Sequence, residues 1–322
     1  MIKISQTHET EKRAMREVYC ETLQCMAAED ERVVVIEADL AAPIGTVPFS
    51  KQFPTRFFDC GVQESNMAGI GAGLSAAGMV PFAHTFAAFA ARRCLDQVFV
   101  SACYARLNLK LVGSDPGITA LYNGGTHMGL EDMGAFLGIP EMTLVEPADT
   151  AMLADILHTA KDTYGVFYIR MNRKNAVQIY EKGSHFEIGK GVTLRDGTDV
   201  TLICSGITIA ESLKAADLLA ARGVQARVVN LFTWKPLDTA LIERCAYETG
   251  AIVTAENHQV ANGLGKSVAG AVCASHPVPM GFIGAQERFG EVGDMPYLLK
   301  RFGLRAEDIA ETALQTIARK NS

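Results

Sequence analysis

Residues 61–98 decide the fold of this chain and read GVQESNMAGIGAGLSAAGMVPFAHTFAAFAARRCLDQV. Between Ser65 and Ala91 there is no Asp, Glu, Lys or Arg, and a segment of this length could span a bilayer. Gly and Ala dominate it, however, and Gly78 and Pro81 interrupt it, so few large apolar side chains remain to drive insertion. We therefore expect a helix, a turn and a strand buried in a protein core, and no membrane partner.

Apolar strands alternate with helical segments on both sides of this stretch. Short runs rich in Val, Ile and Leu, such as Val33–Glu37 and Val166–Arg170, are separated by longer segments with helical spacing. Near Glu181–Asp199 the pattern gives way to a segment rich in Gly and charge, after which a second series begins. Because unbroken apolar strands between helices are typical of mostly parallel sheets covered by helices, we predict an α/β fold. Its two domains are expected at residues 1–185 and 195–322.

Composition narrows the class of protein. Of the 322 residues, 48% are hydrophobic, and the formal net charge is −6, which is unfavourable for binding a nucleic-acid backbone. The eight cysteines stand singly, without the close spacing of zinc ligands or redox pairs, and the N-terminus is polar and charged, unlike a signal peptide. We therefore expect a cytoplasmic protein with no nucleic-acid partner and no metal ligands of its own.

The glycines within residues 61–98 leave two interpretations open. Gly71-x-Gly73-x-x-Ala76 formally matches a dinucleotide fingerprint, but the preceding strand candidate ends near Cys60, which is too early for that motif. Gly69 and Gly73 are four residues apart and share one face of a helix, which would let another helix approach closely. Close packing is the favoured interpretation.

Glu64 is the most informative candidate for chemistry. It begins the predicted helix and precedes the uncharged stretch, so its surroundings disfavour a carboxylate unless a donor faces it. Such a group is a candidate acid, base or hydrogen-bond acceptor. The alternative is an ordinary acidic partner of the helix dipole.

Four further residues leave a structural and a functional interpretation open. Phe86 and Phe89 lie three residues apart on one face of a predicted helix, either as core residues or as a stacking platform for a flat heterocycle. His127 follows an irregular turn in NGGTHMGLED, and loops carry function more often than cores. Arg170 ends a strand at the edge where α/β sheets bind ligands, unless it forms an ordinary surface ion pair.

Several separated motifs carry a family resemblance. Residues 61–98 are followed by GGTHMGLEDM, EPAD and YIRMN, and the second half contains DVTLICSG, VVNLFTWKPLD, TAENHQVANGLG and RFGEVG. Together they resemble the pyrimidine-binding and C-terminal domains of transketolase and its deoxyxylulose-phosphate synthase relatives, in order and over nearly the whole chain. The resemblance implies thiamine diphosphate as cofactor and transfer of a two-carbon ketol unit from a ketose, expected to be a phosphate, to an aldose.

The resemblance also gives roles to the candidate residues. Glu64 would bind and activate the cofactor's aminopyrimidine, while Phe86 and Phe89 stack on that ring with Asp39 nearby. The forked guanidinium of Arg170 and the imidazole of His127 would suit substrate oxygens or phosphate. His127 is also a catalytic candidate. The substrate-binding candidates are His127, Arg170, Arg16 and Asp115.

The chain departs from the family pattern at three places. Arg92 stands where a third aromatic side chain is usual on the stacking helix, and Asp115 stands where a substrate histidine is usual. Ala41-Ala42-Pro43 follows Asp39, where a hydroxyl that contacts phosphate is expected. These departures leave the identity of the sugar and its phosphorylation open.

A family motif for the diphosphate is missing. In this family an N-terminal domain with Gly-Asp-Gly holds the diphosphate and a divalent metal such as Mg, yet the nearest fragment here is Arg195-Asp196-Gly197. We therefore expect the C-terminal half of a split transketolase, active with a diphosphate-binding partner chain in a heterotetramer. The alternatives are the beta subunit of a 2-oxo-acid dehydrogenase and a non-catalytic transketolase-like scaffold.

Overall fold

Two mostly parallel sheets organise residues 2–321, which the computed structural model describes. This architecture confirms the predicted α/β fold class. The strands are β1 (Val33–Glu37), β2 (Phe57–Asp59), β3 (Val80–Phe86), β4 (Lys110–Ser114), β5 (Met142–Val145), β6 (Val166–Met171), β7 (Val192–Arg195), β8 (Val200–Cys204), β9 (Ala226–Asn230), β10 (Thr233–Lys235), β11 (Ile252–Gln259) and β12 (Met280–Ala285).

Helices cover both sheets. Their apolar residues pack on the strands, and the α-helix Ala87–Gln97 continues directly into a π-helical segment at Val98–Tyr104. The α-helices are α1 (Met15–Glu29), α2 (Ala41–Ile44), α3 (Val47–Gln52), α4 (Glu64–Ala76), α5 (Ala87–Gln97), α6 (Asp132–Leu137), α7 (Thr150–Asp162), α8 (Thr208–Ala220), α9 (Thr239–Thr249), α10 (Leu264–Ala274), α11 (Met295–Phe302) and α12 (Ala306–Ala318).

The first sheet places the candidate residues at one edge. Its strand order is β10-β5-β6-β4-β3-β1-β2, and β1, β3, β4 and β6 run parallel and are wholly buried. Burial on both faces explains why these strands are rich in apolar residues. Their carboxyl ends therefore meet at a common edge, where ligands bind in α/β sheets.

The second half of the chain completes the first sheet. Strand β10 follows β9 in sequence but pairs antiparallel with β5, with Thr233 opposite Val145. The second sheet has the order β12-β11-β8-β9-β7, in which only β7 is antiparallel. The two units are thus joined by strand pairing as well as by side-chain contacts.

The expected close packing at Gly69 and Gly73 is wrong within this chain. A Cβ added at either glycine would meet no atom within 4 Å, whereas one at Gly71 would lie 2.7 Å from Leu109 Cδ1. The close approach in α4 is therefore made on the face that turns toward the sheet. No helix within residues 2–321 is both long and apolar enough to cross a membrane.

Candidate active site

Glu64 is the first residue of α4 and lies almost fully buried, with 3% of its surface exposed. Its carboxylate accepts two hydrogen bonds from Arg93 Nη1, at 2.7 and 2.9 Å. The Cys94 thiol donates to the Glu64 carbonyl oxygen at 3.1 Å, which ties the start of α4 to α5. The lone carboxylate noted in the sequence therefore has the facing donor that its burial requires.

An aromatic cluster lies beside this carboxylate. The Phe86 and Phe89 ring centroids are 6.0 Å apart, and the His127 ring meets them edge-on at 5.9 and 5.2 Å. The expectation that both phenylalanines share a helical face is wrong for Phe86, which is the last residue of β3, while Phe89 lies in the first turn of α5. The strand continues to Phe86 because Thr85 and Phe86 still pair with β4.

Arg93 connects the carboxylate with the aromatic cluster. Its guanidinium carbon lies 4.1 Å from the Phe89 ring centroid, the geometry of a cation–π contact. A flat cation thus lies on an aromatic face while it donates to a buried carboxylate. Glu64 and Phe89 therefore hold a planar hydrogen-bond donor of the same chain between them.

Arg92, one of the departures from the family pattern, holds the turn that carries His127. Its guanidinium donates to Glu131 Oε1 at 2.5 Å and to the carbonyl oxygens of Thr126 and Met128 at 3.1 and 3.2 Å. On the other side of the turn, a Cβ at Gly125 would overlap a backbone oxygen, so only glycine fits. These contacts fix the position of the His127 ring against the two phenylalanines.

Asp115 follows β4 at the same sheet edge. It is 1% exposed, has a φ of 52°, and its Oδ2 lies 2.6 Å from Arg173 Nε. Burial raises the pKa of Asp115 to about 6, and the opposing charge of Arg173 limits the rise. The Arg173 guanidinium carbon is 5.3 Å from the Phe86 ring centroid, so this ion pair borders the aromatic cluster.

Arg173 is a site residue that the sequence reasoning missed. It stands two residues after the end of β6, directly after the YIRMN motif that contains Arg170. Its carbonyl oxygen accepts the Arg16 backbone N–H at 3.2 Å, which brings Arg16 to this edge. The Arg16 side chain is exposed and donates to the Pro43 carbonyl oxygen at 3.0 Å.

The expected substrate contact of Arg170 is wrong. Its fully buried guanidinium is bound by Asp132 at 2.8 Å and by Glu146, and it donates to the Asn257 carbonyl oxygen in β11 at 2.8 Å. Although burial opposes its charge, Asp132 and Glu146 raise the pKa of Arg170 above its ordinary value. Arg170 therefore joins the two halves of the chain and has no free face for a ligand.

Asp39 lies two residues after β1, at the sheet edge but exposed. Its φ is 61°, and its backbone N–H donates to Asp59 Oδ1 at 2.9 Å. Its expected proximity to the cofactor ring stays a prediction.

A buried polar chain underlies the sheet edge. His84 Nδ1 lies 2.8 Å from Glu37 Oε2, His84 Nε2 lies 3.0 Å from Ser114 Oγ, and Thr46 donates to Glu37 at 2.6 Å. All four side chains are fully buried, so they support the strand ends that carry Asp115 and Phe86. The polar His84 in an apolar strand was the sequence signal that could have revealed this chain. Within residues 2–321 no group of three His, Cys, Asp or Glu side chains is arranged to hold a metal ion.

Comparisons with known proteins agree with this geometry. Residues 11–178 match the transketolase pyrimidine-binding domain and residues 189–309 the transketolase C-terminal domain. The chain is 46% identical to the 6-deoxy-6-sulfo-D-fructose transketolase subunit of Clostridium sp. strain MSTE9, and the alignment covers 97% of both chains. It is 32% identical to an apulose-4-phosphate transketolase subunit of Phocaeicola vulgatus, over 94% of this chain and 97% of that one.

A solved structure gives the same result. The split-gene transketolase described as an inactive beta4 tetramer aligns with a TM-score of 0.88 at 37% identity, over 95% of this chain and 99% of that chain. Two domain matches, full-length relatives and the clustered Glu64, Phe86 and Phe89 lead to one conclusion. The chain belongs to the transketolase family.

Proposed function

We propose that the chain is the pyrimidine-binding subunit of a two-chain transketolase that uses thiamine diphosphate. The observation that carries this proposal is the single cluster formed by Glu64, Phe86, Phe89 and His127, in which Glu64 and Phe89 both contact the planar Arg93 guanidinium. Relatives of the same length are named as transketolase subunits, which supports transketolase activity over the 2-oxo-acid dehydrogenase alternative. A non-catalytic scaffold has no use for a buried carboxylate beside an aromatic platform.

Each residue of the cluster has a part in binding the cofactor ring. Thiamine diphosphate, when bound, supplies a nucleophilic carbon and an electron sink for the transferred two-carbon unit. Glu64 hydrogen-bonds a ring nitrogen of the aminopyrimidine and favours the form in which that nitrogen carries the proton, and its burial strengthens the bond by excluding water. Phe86 and Phe89 offer apolar faces to the ring. His127 packs edge-on against both phenylalanines, where it can hold or release a proton on a substrate oxygen.

The substrate side of the site is proposed at Asp115, Arg173 and Arg16. The names of the two relatives specify a sulfonated sugar and a phosphorylated sugar, and each of these sugars carries an anionic group. A guanidinium is suited to that group, and a buried carboxylate is suited to sugar hydroxyls. We therefore propose a ketose with a terminal anion as donor, expected to be a phosphate, and an aldose as acceptor.

The partner chain is proposed to hold the diphosphate. The sequence has no Gly-Asp-Gly motif, and a structure of similar fold is described as a split-gene transketolase that is inactive as a beta4 tetramer. We propose that a diphosphate-binding chain supplies that motif together with a divalent metal such as Mg. The assembly is proposed to be a heterotetramer in the cytoplasm.

Reconstitution tests the proposal. The chain is co-expressed with a candidate partner that carries Gly-Asp-Gly, and the complex is titrated with thiamine diphosphate and screened with ketose phosphates, ketose sulfonates and unsubstituted ketoses. We expect ketol transfer by the complex and its loss in Glu64→Gln. Oxidative decarboxylation of 2-oxo acids without ketol transfer would contradict the assignment.

A further inference from the structure

Arg93 makes two contacts that no role in the proposed function explains. Its Nη1 lies 2.7 and 2.9 Å from the two Glu64 carboxylate oxygens, and its guanidinium carbon lies 4.1 Å from the Phe89 ring centroid. Glu64 and Phe89 are two of the three residues that the proposed function assigns to the aminopyrimidine, the third being Phe86. The guanidinium and that ring are both flat and both donate hydrogen bonds, so they compete for the same partners.

The two groups cannot occupy this space together. A ring stacked on Phe89 needs a centroid separation of about 4.5–7 Å, and the guanidinium carbon already lies 4.1 Å from that centroid, so the ring takes the face on which the guanidinium now lies. Nη1 faces both Glu64 oxygens, which leaves neither free to face another donor from the same side. Binding of the ring therefore requires the Arg93 side chain to move.

The exposures of the two partners make such a movement feasible. The Arg93 side chain is 46% exposed, whereas that of Glu64 is 3% exposed. A buried carboxylate is strongly destabilised without a partner, but a half-exposed guanidinium can return to water at little cost. Arg93 can therefore leave when another donor replaces it at Glu64.

We propose that Arg93 occupies the aminopyrimidine position in the cofactor-free chain and is displaced when thiamine diphosphate binds. The inference rests on the proposed function of Glu64 and Phe89. Arg93 then keeps the buried carboxylate paired before assembly. It also lowers the apparent affinity for the cofactor, since only the fraction with an open site can bind.

Cofactor affinity of the assembled complex tests the competition. Arg93→Met keeps the length of the side chain but removes its charge and its donors. We expect this variant to bind thiamine diphosphate several-fold more tightly than the wild type, with a decrease in Kd on the order of ten-fold at most. The matched control is Arg195→Met, since Arg195 in β7 of the other sheet forms an ion pair with Asp217 in α8 at 2.6 Å. The Kd of the Arg195→Met complex for thiamine diphosphate is expected to equal that of the wild type.

Thermal unfolding provides a readout without turnover. In the free chain, a double-mutant cycle of Glu64→Gln and Arg93→Met is expected to show coupling, because the two side chains pair there. In the cofactor-loaded complex the coupling is expected to disappear. If Arg93→Met fails to fold, Arg93→Ala replaces it in both measurements, because alanine also removes the charge and the donors that face Glu64, and the same tighter binding is expected.

The outcomes separate this inference from the proposed function. If the wild-type complex binds no thiamine diphosphate, the proposed function fails. If it binds the cofactor but removal of the guanidinium leaves Kd unchanged or weakens binding, Arg93 does not compete with the ring and the inference is overturned. Coupling that persists in the loaded complex would overturn it as well, since Arg93 would then stay paired with Glu64.

Discussion

Arg170 offers the most demanding prediction of the structure. Its guanidinium is fully buried between Asp132 and Glu146, and these carboxylates are themselves 0% and 3% exposed. Arg170→Met fills a similar volume but leaves both carboxylates without their cation. Tyr168 still donates to Asp132 at 2.7 Å and Ser205 to Glu146 at 2.5 Å, so each keeps one hydrogen bond.

The expected loss follows from the burial of these charges. Removing one partner of a buried ion pair costs about 3–5 kcal/mol, because the remaining charge stays buried and uncompensated. For a chain of this size we expect Tm to fall by about 2–4 °C per kcal/mol, and therefore by about 6–20 °C in all. The bond from Arg170 to the Asn257 carbonyl oxygen is also lost, which weakens the contact between the two halves.

Urea and thermal denaturation of the isolated chain measure this loss. The control is Arg13→Met, because Arg13 pairs with Glu21 at 2.5 Å where both side chains are more than half exposed. That change is expected to cost less than about 1 kcal/mol. If Arg170→Met kept the wild-type Tm but raised the KM for the ketose in the complex, Arg170 would be a substrate residue and the structural interpretation would be refuted.

Three other changes give separate expectations. Asp115→Asn removes the charge that neutralises Arg173. The ratio of kcat/KM for a ketose phosphate to kcat/KM for an unsubstituted ketose is therefore expected to rise several-fold. An unchanged ratio would show that the Asp115–Arg173 pair lies away from the phosphate of the substrate. Phe89→Ala removes stacking and is expected to raise the Kd for thiamine diphosphate about three- to ten-fold by titration, in contrast to Arg93→Met. Burial lowers the pKa of Lys110 to about 7, so between pH 7 and about 10.4 the unfolded chain binds one more proton than the folded chain. The free energy of unfolding is then expected to increase with pH by up to about 1.4 kcal/mol per unit, relative to Lys110→Met, and a difference independent of pH would contradict this.

Local sequence pattern predicts the residues whose environment is set by their own segment. Glu64 stands out because an uncharged helix follows it, and the structure buries it as that pattern indicates. Strand β1 has the predicted bounds, Val33–Glu37, because its apolar run is bounded by charged residues. Phe86 marks the limit of this reasoning, since pairing with β4 extends the strand beyond its apolar run.

Residues whose partners are distant in sequence could not be interpreted from their own segment. Arg170 was correctly placed near the end of a strand, but its partners Asp132, Glu146 and Asn257 come from three other segments that only the fold brings together. Arg173, two residues beyond the strand, reaches the site instead. Strand β10 was missed for the same reason, because three residues gain strand character only by pairing with β5.

The central claim is that Glu64 of this chain activates a cofactor that a partner chain holds by its diphosphate. The most direct measurement is the initial rate of ketol transfer as the diphosphate-binding chain is added to a fixed amount of this chain, in the wild type and in Glu64→Gln. We predict no transfer by either chain alone, a rate that saturates at equimolar chains, and a decrease of at least about 100-fold in Glu64→Gln complexes that still assemble. Transfer by this chain alone, or near-normal rates in the variant complex, would contradict the account.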